Sequence, residues 1–219
     1  MHYLTYTPTI FFITCILISN AKLASMQLDF DFFKIESKLA PSQGRIIISE
    51  PFLPGQYFNR ATVLLVEYSR KGAVGFILNK PVEYSMKDIF RDIPNFEADI
   101  YIGGPVSSDQ LFFVHTLGDI IPGCLKVKEN LYWGGDFNHL KSLMSAGLVD
   151  HHQVRFFMGY SGWAEGQLDD EIAEHSWLVE EAPVVKIMES DENFWTESVR
   201  EIGGHYELWQ FFPEDPSLN

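Results

Sequence analysis

Two apolar runs, Thr62–Tyr68 and Ala73–Leu78, are separated only by a turn around Arg70–Gly72. Runs of this length closed by a glycine-bearing turn predict a β-hairpin. A lone hairpin is marginal in water, so the chain must supply more strands. The continuous β-branched stretch Arg45–Ser49 (RIIIS) reads as a buried strand. Further strands are predicted around Ile100, from Leu111 to Thr116, around Tyr132, along the apolar run from Val154, and within SWLVEE (176–181). Between the strands at Ile100 and Leu111, GGP (103–105) reads as a loop.

Helical signals alternate with the strands. Ser85 with Asp88 three residues on is a capping-box pattern that opens a short helix. Asp136 caps a helix whose apolar face holds Phe137, Leu140, Leu143 and Met144, with Gly147 past its end. A closing helix carries Phe194, Trp195, Val199 and Ile202 and stops at Gly203. Residues 31–44, ending at Pro41 and Gly44, read as a short helix or an extended arm. The expected class is α/β, α+β-like: a mixed β-sheet with hairpins, flanked by helices in a layered sandwich.

Charge narrows the function. The 219 residues carry 30 acidic and 16 basic side chains, a formal net charge of −14. Beyond Arg155 only Lys186 and Arg200 offset the acids, whereas residues 26–155 are close to balance. Such a chain repels nucleic acid unless bases gather on one face. The residues available for that face are Arg45, Arg60, Arg70, Lys71, Lys80, Lys87 and Arg91. No helix-turn-helix with a basic recognition helix is visible, so direct nucleic-acid binding is not expected.

Cys15 and Cys124 are the only cysteines and form no disulfide framework, CxxC pair or zinc pattern. The first 25 residues hold an apolar core, Ile10–Ile18, followed by small residues that would permit cleavage after Ala21. No Lys or Arg precedes that core, and it is too short to span a bilayer. Residues 1–25 are therefore read as a start set too early or a signal-like segment. The mature chain is read as one domain, 26–219, beginning at Met26. That form is expected in the cytoplasm, or outside it if the first segment is a true signal.

The stretch VRFFMGYSGWAEGQLDDEI (154–172) resembles a phosphate cradle: a strand, a loop with Gly159, Gly162 and Gly166, then a helix. It fits neither GxGxxG nor GxxxxGK[ST]. No Lys or Arg follows before Lys186, while Asp169, Asp170 and Glu171 open the helix and would repel an anion. A tight aromatic corner is the better reading, with Tyr160, Ser161 and Trp163 available to a partner or ligand. Ser161 misses the GxSxG elbow. His115 and Asp119 lie on a strand-like run without a third or fourth metal ligand, and His151 and His152 fall in a turn. Neither catalytic nor metal-binding residues are assigned, and no cofactor is expected.

Several segments taken together are similar to the YqgE/AlgH family of small bacterial proteins. They are GRIIISEPFL, FNRATVLLVEYSRKGAVGFILNKP, YIGGPVSSDQLFFVH, VRFFMGYSGWAEGQLDDEIAEHSWLV and WTESVREIGG. The resemblance implies an α/β fold with a large mixed sheet, a cytoplasmic location, no assigned reaction or cofactor, and the label of a transcriptional regulator. It transfers no functional residues. The expectation is a non-enzymatic regulatory protein that binds a protein partner through Gly103, Gly104, Pro105, Tyr160, Ser161, Gly162 and Trp163. The alternatives are a small-molecule-binding protein or enzyme with a pocket near His115 and the Gly159–Gly166 loop, and a weak nucleic-acid binder through a basic face of the N-terminal half.

Overall fold

The computed structural model describes residues 35–90 and 96–213. The expectations for residues 1–25, Met26, Cys15 and Arg91 lie outside these residues. Ten strands form: β1 (Ile46–Ser49), β2 (Thr62–Ser69), β3 (Gly72–Ile77), β4 (Pro81–Ser85), β5 (Asp99–Ile102), β6 (Val106–His115), β7 (Leu125–Lys128), β8 (Leu131–Trp133), β9 (Val154–Trp163) and β10 (Trp177–Glu180). The helices are α1 (Met86–Ile89), α2 (Phe137–Ser145), α3 (Gln167–Ala173), α4 (Val184–Glu189) and α5 (Phe194–Ile202). Single 3-10 turns occur at Gly118–Ile120 and His151–Gln153, and a longer one at Gly204–Phe211.

The predicted hairpin is β2–β3, in register from Val63↔Ile77 to Ser69↔Gly72 with a bulge between Leu65 and Glu67. It sits inside one sheet of order β10-β1-β2-β3-β9-β6-β8-β7, to which β4 and β5 attach. Every pairing is antiparallel except β5 with β9, so the sheet is mixed as expected. The sheet curls back on itself. Gln43 Nε2 donates to the carbonyls of Lys126 (2.7 Å) and Val127 (3.1 Å), and Lys128 Nζ to that of Gly44 (3.2 Å). These bonds tie the far strand β7 to the residues entering β1, which leaves less open edge for unwanted pairing.

Two apolar cores result. Ile47, Val63, Leu65, Ile77, Trp163, Leu168, Trp177 and Val179 form one, under α3. Ile100, Phe113, Leu140, Met144, Val154 and Phe156 form the other, under the amphipathic face of α2. Full burial of each such side chain contributes about 1.5–3 kcal/mol. Asp136 caps α2 as anticipated, its Oδ1 accepting from Asn138 N–H at 2.9 Å and His139 N–H at 3.1 Å. In α5, Trp195 Nε1 donates to Ser49 O at 3.0 Å, pinning that helix to the end of β1.

Of the two readings offered for residues 31–44, the described residues 35–44 take the arm and not the helix; Ser37 Oγ accepts from Val179 N–H at 2.9 Å, blunting the outer edge of β10. The structure departs from the sequence expectations at several points. Strand β6 begins at Val106 rather than Leu111. Strands β4 and β7, helix α4 and the 3-10 turn at 204–211 were not anticipated. Asp88 does accept from Ser85 N–H (2.8 Å) and Oγ (2.9 Å), which holds its carboxyl below the ordinary value. Helix α1 is nonetheless one turn, ending at Ile89. Among the described residues no helix is long and apolar enough to cross a membrane.

Candidate functional site

The glycine-rich stretch 159–163 is not a loop. Strand β9 runs unbroken through it to Trp163, and only Ala164–Gly166 turn toward α3. Along β9 the partner on one side changes. Residues 156–158 pair in parallel with 100–102 of β5, and 161–163 pair antiparallel with 73–75 of β3. The changeover falls at Gly159, at φ +70, where an added Cβ would stand 2.7 Å from the carbonyl oxygens of Gly104 and Val106. Glycine here permits a close approach of two backbones within a strand. A phosphate cradle has no place in that geometry.

The same changeover explains GGP (103–105). Gly103 N–H donates to Met158 O at 2.8 Å, and its carbonyl accepts from Ile77 N–H (3.0 Å) and Ser161 Oγ (3.0 Å). The two segments singled out by sequence are therefore in contact, but in mid-sheet. Gly103, Gly104, Ser161 and Trp163 are buried; Pro105 and Gly162 are exposed and Tyr160 is half-buried. The Tyr160 ring leans on Gly162, its Cε2 3.2 Å from where a Cβ would stand, and meets Phe112 edge-on at 5.5 Å. Val106, 36% exposed, pairs with Tyr160 across the strands. What solvent meets is thus a small strip of Pro105, Val106, Tyr160 and Gly162.

A Cβ at Gly103 would lie 2.2 Å from Gly159 O, which only a backbone shift can relieve. Gly103→Ala should therefore lower stability by about 1–3 kcal/mol, the range for overpacking. Gly162→Ala meets only the edge of a half-exposed ring and should lose far less. Thermal midpoints of the two variants provide the check, and equal midpoints would contradict the crowding.

Trp163 is 6% exposed and serves the core. Its Nε1 donates to Glu171 Oε2 at 2.9 Å, and Trp177 Nε1 donates to the same oxygen at 2.8 Å. Glu171 thus works as a shared acceptor for two indoles. Asp169 accepts from Tyr68 O–H at 2.6 Å, a bond that pushes the phenol up to about 12.

His115 is fully buried at the end of β6. Leu117 N–H donates to its Nδ1 at 3.3 Å, and its Nε2 bonds Gly134 O at 3.2 Å, an arrangement that places the ring proton on Nε2. Burial pushes this imidazole below its ordinary value, and the bond to Gly134 only partly opposes that. Stacked against Tyr132 at 5.8 Å, it is a neutral packing residue, while Asp119 is exposed on the turn beyond. Cys124 bonds Gly118 O through Sγ at 3.4 Å, and burial raises its thiol. Neither group presents an activated nucleophile or base.

The bases of the N-terminal half do not act as a free cationic set. Arg45 pairs with Glu181 at 2.8 Å and Lys87 with Glu97 at 2.7 Å. Lys80 Nζ donates to Asn59 O at 2.9 Å, and Arg60 donates to Phe212 O and lies over the Trp195 ring. Arg70 and Lys71 are exposed on the β2–β3 turn.

Two clefts were not foreseen. One, about 460 Å³, has Ile46, Ile48, Phe194 and Ile202 as apolar lining and Lys38 and Glu201 among its charged residues. The other, about 450 Å³, includes Tyr101, Arg155, Ser190, Asp99, Asp191 and His151 in its lining. Arg155 is 4% exposed and donates to Leu78 O (2.8 Å), Ile187 O (2.6 Å) and Ser190 Oγ, with its Cζ 4.1 Å from the Tyr101 ring centroid. Its signal in the sequence was a lone cation inside an otherwise apolar run, VRFF.

Similarity to known proteins is consistent along the chain. Residues 46–207 match the family described as AlgH-like. A UPF0301 protein of Parabacteroides distasonis is 45% identical over 193 residues, covering 86% of this chain and 98% of the relative. One from Bacteroides thetaiotaomicron is 39% identical, covering 89% and 100%. A crystal structure of DIP2367 from Corynebacterium diphtheriae superposes with a TM-score of 0.67 at 19% identity, covering 81% of this chain and 95% of that one. The solution structure of the AlgH protein from Pseudomonas aeruginosa gives 0.62 at 23% identity, covering 81% and 98%. These two likenesses concern the fold.

Proposed function

The chain belongs to the AlgH-like family, and on that footing we propose that it is a cytoplasmic, non-enzymatic regulatory protein that acts by binding a protein partner. The observation that carries this reading is the strip of Pro105, Val106, Tyr160 and Gly162, where a half-buried ring on β9 stands opposite Val106 of β6. A tyrosine held by Phe112 and Gly162 offers apolar area and a hydroxyl at little entropic cost, the qualities of an interface anchor. The groups that chemistry would need point elsewhere: His115 and Ser161 are buried in backbone hydrogen bonds.

The test is site-specific photo-crosslinking in the native cells. A photoreactive residue at position 160 or 106 should give one discrete protein adduct. The same residue at Leu148, exposed on a different segment, should not. Adducts of equal yield from all three positions, or from none, would reject the strip as the contact surface. Tyr160→Ser should abolish the adduct formed from position 106 while the variant stays folded, with a smaller fall in thermal midpoint than Trp163→Ala, because its ring is only half-buried.

A further inference from the structure

The turn His151–Gln153 carries two consecutive histidines directly after its capping residue. Asp150 is held in place: its Oδ1 accepts from His152 N–H at 2.8 Å, and its own N–H donates to Gln153 Oε1 at 2.9 Å. The two imidazoles lie side by side with centroids 3.9 Å apart, and His151 Nδ1 is 3.5 Å from Asp150 Oδ1. One donor atom from each of the three residues lies within 4.8 Å of the others. Donors at zinc bond lengths in a tetrahedron sit about 3.3 Å apart. Asp150, His151 and His152 are all exposed, so their side chains have the rotamer freedom to draw together.

The surroundings favour a cation. His151 and His152 line the 450 Å³ cleft together with Glu97, Asp99, Glu189 and Asp191. Lys87 already pairs with Glu97 at 2.7 Å, and the cation in the cleft lining is Arg155, itself 4% exposed, so Asp99, Glu189 and Asp191 set the sign of the local field. Such a wall concentrates cations in the local field. Two imidazoles beside one carboxylate select borderline ions such as zinc, nickel or copper over calcium and magnesium, which prefer all-oxygen sets.

We propose that Asp150, His151 and His152 form a binding site for a divalent transition ion of the zinc class on the wall of this cleft. Three protein ligands leave the ion a further position, open to water or to a carboxylate from the cleft lining. The sequence alone reads these histidines as a solvated turn. Their grouping with Asp150 and the acidic cleft is visible only once the chain is folded.

Isothermal titration of the full chain with zinc chloride, and separately with calcium chloride, provides the test. The wild type should bind one zinc per chain and give no calcium response at the same concentration. His151→Gln and His152→Gln should each weaken zinc binding by at least about tenfold. His139→Gln, an exposed histidine on α2, should bind as the wild type does. Asp150 is left intact because it caps the turn, and circular dichroism confirms that each variant is folded. The proposal is overturned by a wild type that takes up no zinc, by equal zinc and calcium affinity, or by histidine variants that bind zinc undiminished.

Discussion

Arg155→Met is expected to lose about 2–4 kcal/mol of stability, read as a lower urea midpoint at unchanged slope. The guanidinium is buried where β9 meets α4, and among the described residues no carboxylate forms an ion pair with it. Burial lowers its pKa from the ordinary value to about 10, so the group remains charged at neutral pH. Methionine relieves that desolvation and fills similar space, which works in the variant's favour. Against this, Leu78 O loses its donor and Ser190 Oγ loses one partner. Each buried acceptor left unpaired costs about 1–3 kcal/mol. Ile187 O suffers less because Ser190 Oγ still donates to it at 3.0 Å. The acceptor losses exceed the relief, so the sign is destabilising. Hydrogen exchange should show α4 loosening first. Arg155→Lys should fall short of rescue, because one ammonium cannot reach both the end of β3 and α4. A methionine variant as stable as the wild type would show that α4 is held by its apolar contacts alone.

Much of the fold was legible because it is written in short-range patterns. The β2–β3 hairpin, the buried strand β1 and the capped helix α2 each follow from apolar periodicity and one or two punctuating residues. What failed was local inference about glycine. Gly159 and Gly162 look like loop residues in isolation, yet they stand in β9 because strands β5 and β6 cross over it at Gly103–Gly104. That requirement comes from residues more than fifty positions away. Strand β7 was missed for a similar reason: LKVK is a single four-residue alternation, too short to stand out, and its pairing with β8 and its ties to Gln43 make it a strand. The site was legible only in outline. GGP and GYSGW do meet, but burial divides them, leaving Tyr160 outside and Ser161 and Trp163 within.

That division determines which variant can report on binding. Trp163→Ala should destabilise the protein by about 3–5 kcal/mol, the cost of emptying a large buried aromatic site. The ring packs at 6.0 Å from both Phe58 and Trp177, and Phe58 meets Trp177 edge-on at 5.5 Å, so one deletion unsettles three rings. The indole N–H also matters: without it Glu171 Oε2 keeps only Trp177, while Oε1 keeps Gln167 Nε2 at 2.9 Å. Because Glu171 retains these donors, Trp163→Phe should cost clearly less than Trp163→Ala, with the residual loss reporting the missing hydrogen bond and ring area. Urea midpoints of the two variants separate the contributions. If Trp163→Ala instead keeps full stability and loses only the crosslinked adduct at position 106, Trp163 is a contact residue and its burial holds only in the unbound chain. A pull-down lost in Trp163→Ala alongside a fallen midpoint reports unfolding. Tyr160→Ser, on the solvent side of the same strand, is therefore the substitution whose loss of partner would speak for an interface.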